Sequence, residues 1–373
     1  MDWLDFEINH CRFFDFIFRN EKKLVLLGGA RLARETIKSM QHYCPELDIE
    51  AVVDNNVGKE NTFILGIPVI SFDQLADSIE TYKILITTRQ IYQANSQCKN
   101  YGIKEENIFC FKSTFMMRQL ECVDWILRDY QYARMLDIYF HKEEIENLYE
   151  QLADEQSRKV LKNIVKFRLT LEPKYVAEVN HGTQSDYFDD IPFTLTNKEV
   201  FLDIGGARGD SALEFLTRTD NTFEHIYLFE PDPEMLTGAM DNIFTVENRD
   251  KIHFFNMACS NANGIAAFDN GMVNGGGDKQ RLVRTIRLDD LFKDDKVTII
   301  KMDVEGTERQ VLEGGLNIIQ KQNPRLCVCI YHKSKDLWEI PLFIKSVNSG
   351  YKIAIRQQSP GLYGDLQTVC YAY

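Results

Sequence analysis

The hydrophobic pattern divides the chain into stretches of different period. In the first twenty residues Trp3, Phe6, Phe13, Phe14 and Phe16 recur among acids at roughly helical spacing, which predicts a docking helix over 1–21. From 22 to 112 the short apolar runs LVLLG, IEAVVD, ILITT and NIFCF alternate with ARLARETIKSMQHY, SFDQLADSIE and RQIYQANSQCKNYG. Strand and helix in alternation predict a small, Rossmann-like, doubly wound parallel sheet. Over 113–180 the strand signal vanishes. Leu, Ile, Tyr and Arg recur there at helical intervals through VDWILRDYQYARMLDIYF and EEIENLYEQLADEQSRKVLKNIVKFRL, a helical connector. Alternation returns over 181–373, where EVFLDIG, HIYLFE, KIHFFN, VTIIKMDV, RLCVCIY, YKIAIR and LQTVCYAY read as strands with helices between most of them.

The chain is therefore α/β. Its last seven strands, ending in a hairpin-like pair, resemble the architecture of class I S-adenosylmethionine (SAM) methyltransferases, a parallel sheet with one reversed C-terminal strand. Composition narrows the partners. A length of 373 residues suits two or three domains, and 44% hydrophobic with 27% charged residues is ordinary for a folded protein. The formal net charge of -13 and the lack of a basic cluster argue against nucleic acid and anionic membranes. No apolar run is long enough to span a bilayer, and the acidic start MDWLDFEINH lacks the basic flank of a signal peptide, so the expected location is cytoplasmic. Nine cysteines without a Cys-x-x-Cys pair read as reduced and structural.

Two segments repeat a motif: VLLGGARLARE at 25–35 and VFLDIGGARGD at 200–210. A strand that ends in glycines and runs into a helix brings backbone N–H groups close to a ligand. In the first turn Gly28, Ala30 and Ala33 occupy the places of the dinucleotide fingerprint, with Asp54 closing the next strand; a tight structural turn and a nucleotide site are both open there. The second adds Asp203 before Gly205, Gly206 and Ala207, then Gly209 and Asp210 at the helix start. A carboxylate at Asp203 repels a pyrophosphate and suits an ammonium group, which fits the methionine part of SAM better than NAD. Glu230, followed by Pro231, closes the next strand where a carboxylate can accept both ribose hydroxyls.

With those residues in view, about 186–373 resembles the FkbM family of SAM-dependent methyltransferases. DYFDDIPFTLTNKEVFLDIGGARGDSALEF is similar to that family's opening segment and SAM loop, IYLFEPDPEML to its ribose-binding strand, and NMACSNANGIAAF, with Ala258, to its third SAM-contacting region. RTIRLDDL, IIKMDVEGTERQVLEGG and CVCIYHKSKDLWEIPLFI match later segments in order. One departure is Gly206-Ala207, where the family often has a small residue and then Asn or Tyr. VLLGGA, AVVDNN and GIPVISFDQL resemble a small Rossmann-like domain that precedes some bacterial FkbM-type enzymes and occurs in sugar-nucleotide-modifying proteins. The resemblance implies SAM as cofactor and a hydroxyl acceptor, of a sugar in a bacterial surface polysaccharide or a glycan precursor. A sugar nucleotide or glycan would then occupy the N-terminal domain, and a homo-oligomer is allowed. Two other readings stay open: an inactive SAM-fold scaffold, and an NAD-dependent sugar-modifying N-terminal unit fused to a methyltransferase.

Methyl transfer needs an acceptor oxygen aligned with the S–CH3 bond and a group to draw off its proton. Asp303 and Glu305, at the C-terminal end of a predicted strand in KMDVEG, are candidates, although Glu305 also suits a helix cap. His332, after the next strand, is placed like a base or is structural. Two acids are too few to assign a metal. Arg356 either holds substrate or pairs on the surface, and MVNGGGDKQRLVR, residues 272 to 284, is a lid or a plain connection.

Overall fold

In the computed structural model, which describes residues 3–54, 63–88, 90–110, 130–180, 187–244, 246, 248–269, 272–273, 281–358 and 365–373, the contacts divide the chain into two compact units. One comprises Met1–Glu146 and Lys162–Val176, the other Asn147–Leu161 and Ala177–Tyr373. The helix Glu155–Thr170 therefore gives its first half to the second unit and its second half to the first.

The first unit is built on a sheet of β1 (Lys23–Leu27), β2 (Ile49–Val53), β3 (Phe63–Ile64), β4 (Ile67–Ile70), β5 (Tyr82–Ile86) and β6 (Ile108–Phe109), in the order β3-β4-β2-β1-β5-β6. All neighbours run parallel except the β3–β4 pair. Runs such as Leu24 to Leu27 are buried on both faces, so they read as continuous rather than alternating apolar residues. The helix Arg31–Tyr43 buries Ala33, Ile37 and Met40 at helical spacing. In place of the single docking helix expected over 1–21, three short helical pieces, Trp3–Asn9, Arg12–Phe14 and Asp15–Arg19, bury Leu4, Ile8, Phe13, Phe14, Phe16 and Ile17.

The second unit carries β7 (Val200–Ile204), β8 (His225–Phe229), β9 (Ile252–Phe255), β10 (Ala258–Cys259), β11 (Gly264–Asp269), β12 (Met272–Val273), β13 (Arg281–Ile286), β14 (Ile299–Met302), β15 (Arg325–Cys329), β16 (Ile353–Gln357) and β17 (Thr368–Ala372). Seven of these form the main sheet, β16-β17-β15-β14-β7-β8-β9, and only β17 is reversed. This is the seven-stranded α/β arrangement that the sequence pattern predicts. The chain order reverses between β7 and β14, and in open parallel sheets that switch point, at the carboxyl ends of the strands, is where ligands sit. β10 to β13 make a second, four-stranded sheet that the sequence reading did not resolve. Of the 272–284 segment, 274–280 lies outside the described residues, while its end is the paired strand β13.

The opposite end of β7 is sealed by a buried acid. Glu199 has no exposed surface and accepts from the Thr196 backbone N–H at 2.7 Å and the Thr298 hydroxyl at 2.5 Å, and it pairs with Arg325. Burial pushes its pKa up, but the Arg325 guanidinium and the two threonines outweigh that and hold it below the usual carboxylate range. A depressed carboxylate adds stability above its unfolded pKa and loses it as pH falls through the folded one. Glu199→Gln should therefore cost about 2–3 kcal/mol at pH 7 in urea unfolding, by leaving Arg325 unpaired. The gap to wild type should close as the pH drops below the ordinary value of 4.5.

Candidate functional site

A cavity of about 260 Å³ opens at the switch point, lined by the ends of β7, β8 and β14 together with Met257, Ala258, Cys259 and Phe268 from the second sheet's side. That volume is near the small end for pockets that hold small molecules, roughly 300–1,000 Å³. Of the residues singled out in the sequence, Gly205, Ala207, Glu230, Pro231, Ala258, Asp303 and Glu305 line it. Asp203, Gly206, Gly209, Asp210 and His332 stand outside its lining.

The glycine turn is dictated by close packing. Gly205 has φ +74°, and a Cβ there would meet the Asp303 carbonyl oxygen at 1.9 Å; at Gly206 a Cβ would meet Leu228 at 2.5 Å. The N–H groups of Gly205 and Gly206 both donate to the Phe229 carbonyl, at 2.9 and 3.1 Å. Gly209, at φ +83°, caps the helix Asp210–Arg218, and Asp210 stands exposed in that helix's first turn. Glu230 is buried, and its two oxygens accept from Ala207 N (3.0 Å) and Asp232 N (2.8 Å). Burial raises its pKa and these two N–H donors oppose the shift without cancelling it. In the first unit the same construction recurs on a smaller acid, since Gly29 N donates to Asp54 Oδ2 at 3.1 Å.

Asp203 does other work than greeting a ligand's ammonium. It is fully buried, pairs with Lys301 Nζ at 3.1 Å and accepts from the Ser211 hydroxyl at 2.7 Å. Lys301 in turn donates to the Gly205 carbonyl at 2.7 Å. The expectation that Asp203 contacts the ligand is thus corrected: its charge is spent on Lys301, and the pair braces the turn from beneath.

Asp303 is the hub beside the cavity. Its Oδ2 accepts from the Tyr187 hydroxyl at 2.5 Å, and its Oδ1 lies 3.3 Å from both Tyr331 Oη and His332 Nε2. Burial opposes its ionisation, but His332, Lys301 and the Tyr187 hydrogen bond hold its pKa below the ordinary value. His332 has its Nδ1 2.8 Å from Glu308 Oε1 and its Nε2 3.5 Å from Glu305 Oε2. Burial pulls its pKa down, yet Glu308, Asp303 and Glu305 together push it up to about 10. His332 also stands outside the cavity lining, so the structure brings it to the carboxylate cluster rather than to the cavity wall where the base was expected. Glu305, at φ +54°, sits exposed on the rim, and it is Glu308 that accepts from the N–H groups of Val304 (3.0 Å) and Gly306 (3.4 Å) at the following helix. Asp336 closes the cluster; burial and the Glu308 carboxylate raise its pKa to about 7.

Arg356 is not a ligand holder. It is buried and donates twice to Asp154, at 3.2 and 3.1 Å, and to the Ser157 hydroxyl at 2.8 Å. The sequence reading passed over Tyr187, Lys301, Glu308 and Asp336. A lysine inside the apolar run IIKMDV, and acids three and four positions beyond Glu305 and His332, were the available signals.

The comparisons with known proteins bear on this geometry. Residues 203–352 match the model of the methyltransferase FkbM domain, a span that runs from within β7 to the residue before β16. The similarity to the methyltransferase FkbM domain thus covers the part of the chain that holds the cavity. A crystal structure of methyltransferase FkbM from Methylobacillus flagellatus KT is 25% identical, with TM-score 0.60, over 97% of this chain and 93% of that one. Two more distant structures are fibrillarin from Aeropyrum pernix with natively bound S-adenosyl-L-methionine (12% identity, 48% of this chain and 69% of that one, TM-score 0.31) and TrmK from M. capricolum with S-adenosyl-homocysteine (11%, 54% and 65%, TM-score 0.28). At those scores neither supports an argument about this chain. No curated protein matches the chain.

The glycine turn should tolerate a methyl group only where space exists. Gly205→Ala is expected to cost at least ~3 kcal/mol, since strain at positive φ adds to a backbone collision. Gly306→Ala, at φ +93° but facing chiefly the flexible end of Lys333, should cost about 1–2 kcal/mol. Denaturant titration of the two variants checks the contrast.

Proposed function

We propose that the C-terminal unit transfers a methyl group from SAM to a hydroxyl, of a sugar in a bacterial surface polysaccharide or glycan precursor. The observation that carries the reading is Glu230: a buried carboxylate at the end of β8, fixed by two backbone N–H groups, lining the cavity beside the glycine turn. A carboxylate so held retains lone pairs for a ribose diol, and a fixed acceptor loses little entropy on binding. Lys301 beneath the turn, Met235 and Met257 on the walls and Phe268 opposite form the remainder of a partly apolar adenosine slot.

The methyl group leaves an activated sulfonium, so the chain's own contribution is alignment and charge. Asp303, on the same rim as Glu305, offers the carboxylate toward which an acceptor hydroxyl turns its proton. Tyr187 and Tyr331 fix that carboxylate's orientation. The sugar class of the acceptor comes from the family resemblance, and the net charge of -13 favours neutral or cationic acceptors over polyanions.

Isothermal titration should find one SAM site on the full-length protein, and Glu230→Ala should weaken it about tenfold or more through loss of the ribose contact. No binding, or equal binding by the variant, would remove the reading. Incubation with labelled SAM and a panel of sugar nucleotides and glycans then identifies the acceptor.

A further inference from the structure

The side chains Asp303, Glu308 and His332 meet beside the cavity, and the methyl-transfer scheme uses only the first of them. Donor atoms from the three lie within 4.8 Å of one another. Two donors each ~2.2 Å from one ion can be at most ~4.4 Å apart, and His332 faces Asp303 through Nε2 and Glu308 through Nδ1, so the ring must turn to offer one nitrogen to an ion held between the two carboxylates. The 3.3 Å between His332 Nε2 and Asp303 Oδ1 already equals an edge of a coordination polyhedron, roughly 3.0–3.4 Å for bonds of ~2.1 Å.

An acidic cluster alone would mean little, but two further observations point to a ligand. Glu308 has no exposed surface, and its Oε2 is buried without a hydrogen-bond partner. The His332 side chain is 4% exposed, and neither ring nitrogen makes a well-directed hydrogen bond despite the nearby carboxylates. Buried polar atoms normally find partners, and an orphaned carboxylate oxygen beside an imidazole is a costly arrangement to maintain for packing alone. The local charge is also unbalanced. Lys301 is matched by Asp203, which leaves Asp303, Glu305, Glu308 and Asp336 around a single imidazole, with Lys333 at the edge.

We propose that Asp303, Glu308 and His332 bind one divalent transition-metal cation at the edge of the cofactor cavity. Two carboxylates and an imidazole suit Mn2+ or Zn2+ better than the all-oxygen shells of Mg2+ and Ca2+. The role of the ion rests on the methyltransferase reading above. Because Asp303 belongs both to the cluster and to the cavity wall, the ion stands where an acceptor hydroxyl approaches. Coordination acidifies that hydroxyl. With Asp303 engaged by the ion, the proton passes instead to the rim carboxylate of Glu305, the oxygen forms the new O–CH3 bond, and the C–S bond breaks to leave the neutral thioether of S-adenosylhomocysteine.

The test is calorimetric titration of MnCl2, and separately ZnCl2, into the full-length protein without cofactor or acceptor. One equivalent should bind, and Glu308→Gln and His332→Gln should each weaken binding about tenfold or more. No saturable binding of either ion, or wild-type binding by both variants, overturns the site. If a variant loses its circular dichroism signal, anomalous diffraction from manganese-soaked wild-type crystals decides: a peak within bonding distance of the three side chains supports the site, and a peak elsewhere overturns it. A protein that binds Mn2+ but not SAM keeps the metal site and loses the proposed cofactor; one that binds SAM but neither ion loses the metal site alone.

Discussion

Lys301 lies inside β14 with 2% of its surface exposed, and its ammonium finds Asp203 Oδ1 at 3.1 Å, the Gly205 carbonyl at 2.7 Å and the face of the Tyr187 ring at 4.8 Å. Burial alone would lower its pKa, but Asp203 and Asp303 more than compensate, and it ends above the ordinary value. A charge held this deep is tolerable only because every direction is answered, and removing one partner would leave the other uncompensated. From this pair the rest of the site follows. The glycine turn is pinned through its carbonyl, β7 and β14 are locked side by side, and Asp303 is fixed one residue beyond Met302 where the strand ends.

The same logic separates the two glycine turns. Each places an acid from the next strand on a backbone N–H of the turn, Asp54 on Gly29 and Glu230 on Ala207. Only the second is underlaid by a buried lysine–aspartate pair and bordered by the Asp303 cluster. The repeated Gly-Gly-Ala-Arg marks a shared solution to a strand-to-helix crossing, on which one unit has built a charged site.

The strands of the main sheet were legible because each centres on a run of apolar residues, closed by a glycine or an acid in VFLDIG and IYLFE. The small sheet of β10 to β13 was not: strands such as RLVRTI are half polar, and their pairing depends on long-range contacts. The same limit applied to the site. Glu230 and Asp303 sit at strand ends, where sequence order alone places them on the ligand edge. Tyr187 reaches Asp303 across 116 positions, and Arg356 reaches Asp154 across 202, so no local period announces either. Asp203 was misread because its sequence neighbours suggest a ligand, whereas its spatial neighbour is a lysine from another strand.

A crystal structure of the protein with S-adenosylhomocysteine tests the central claim most directly. The account predicts the ribose hydroxyls on Glu230, the adenine between Met235, Met257 and Phe268, and the sulfur facing Asp303, with Asp203 still paired to Lys301. A ligand whose ribose avoids Glu230, or one seated on the Gly28 turn of the first unit, would contradict it.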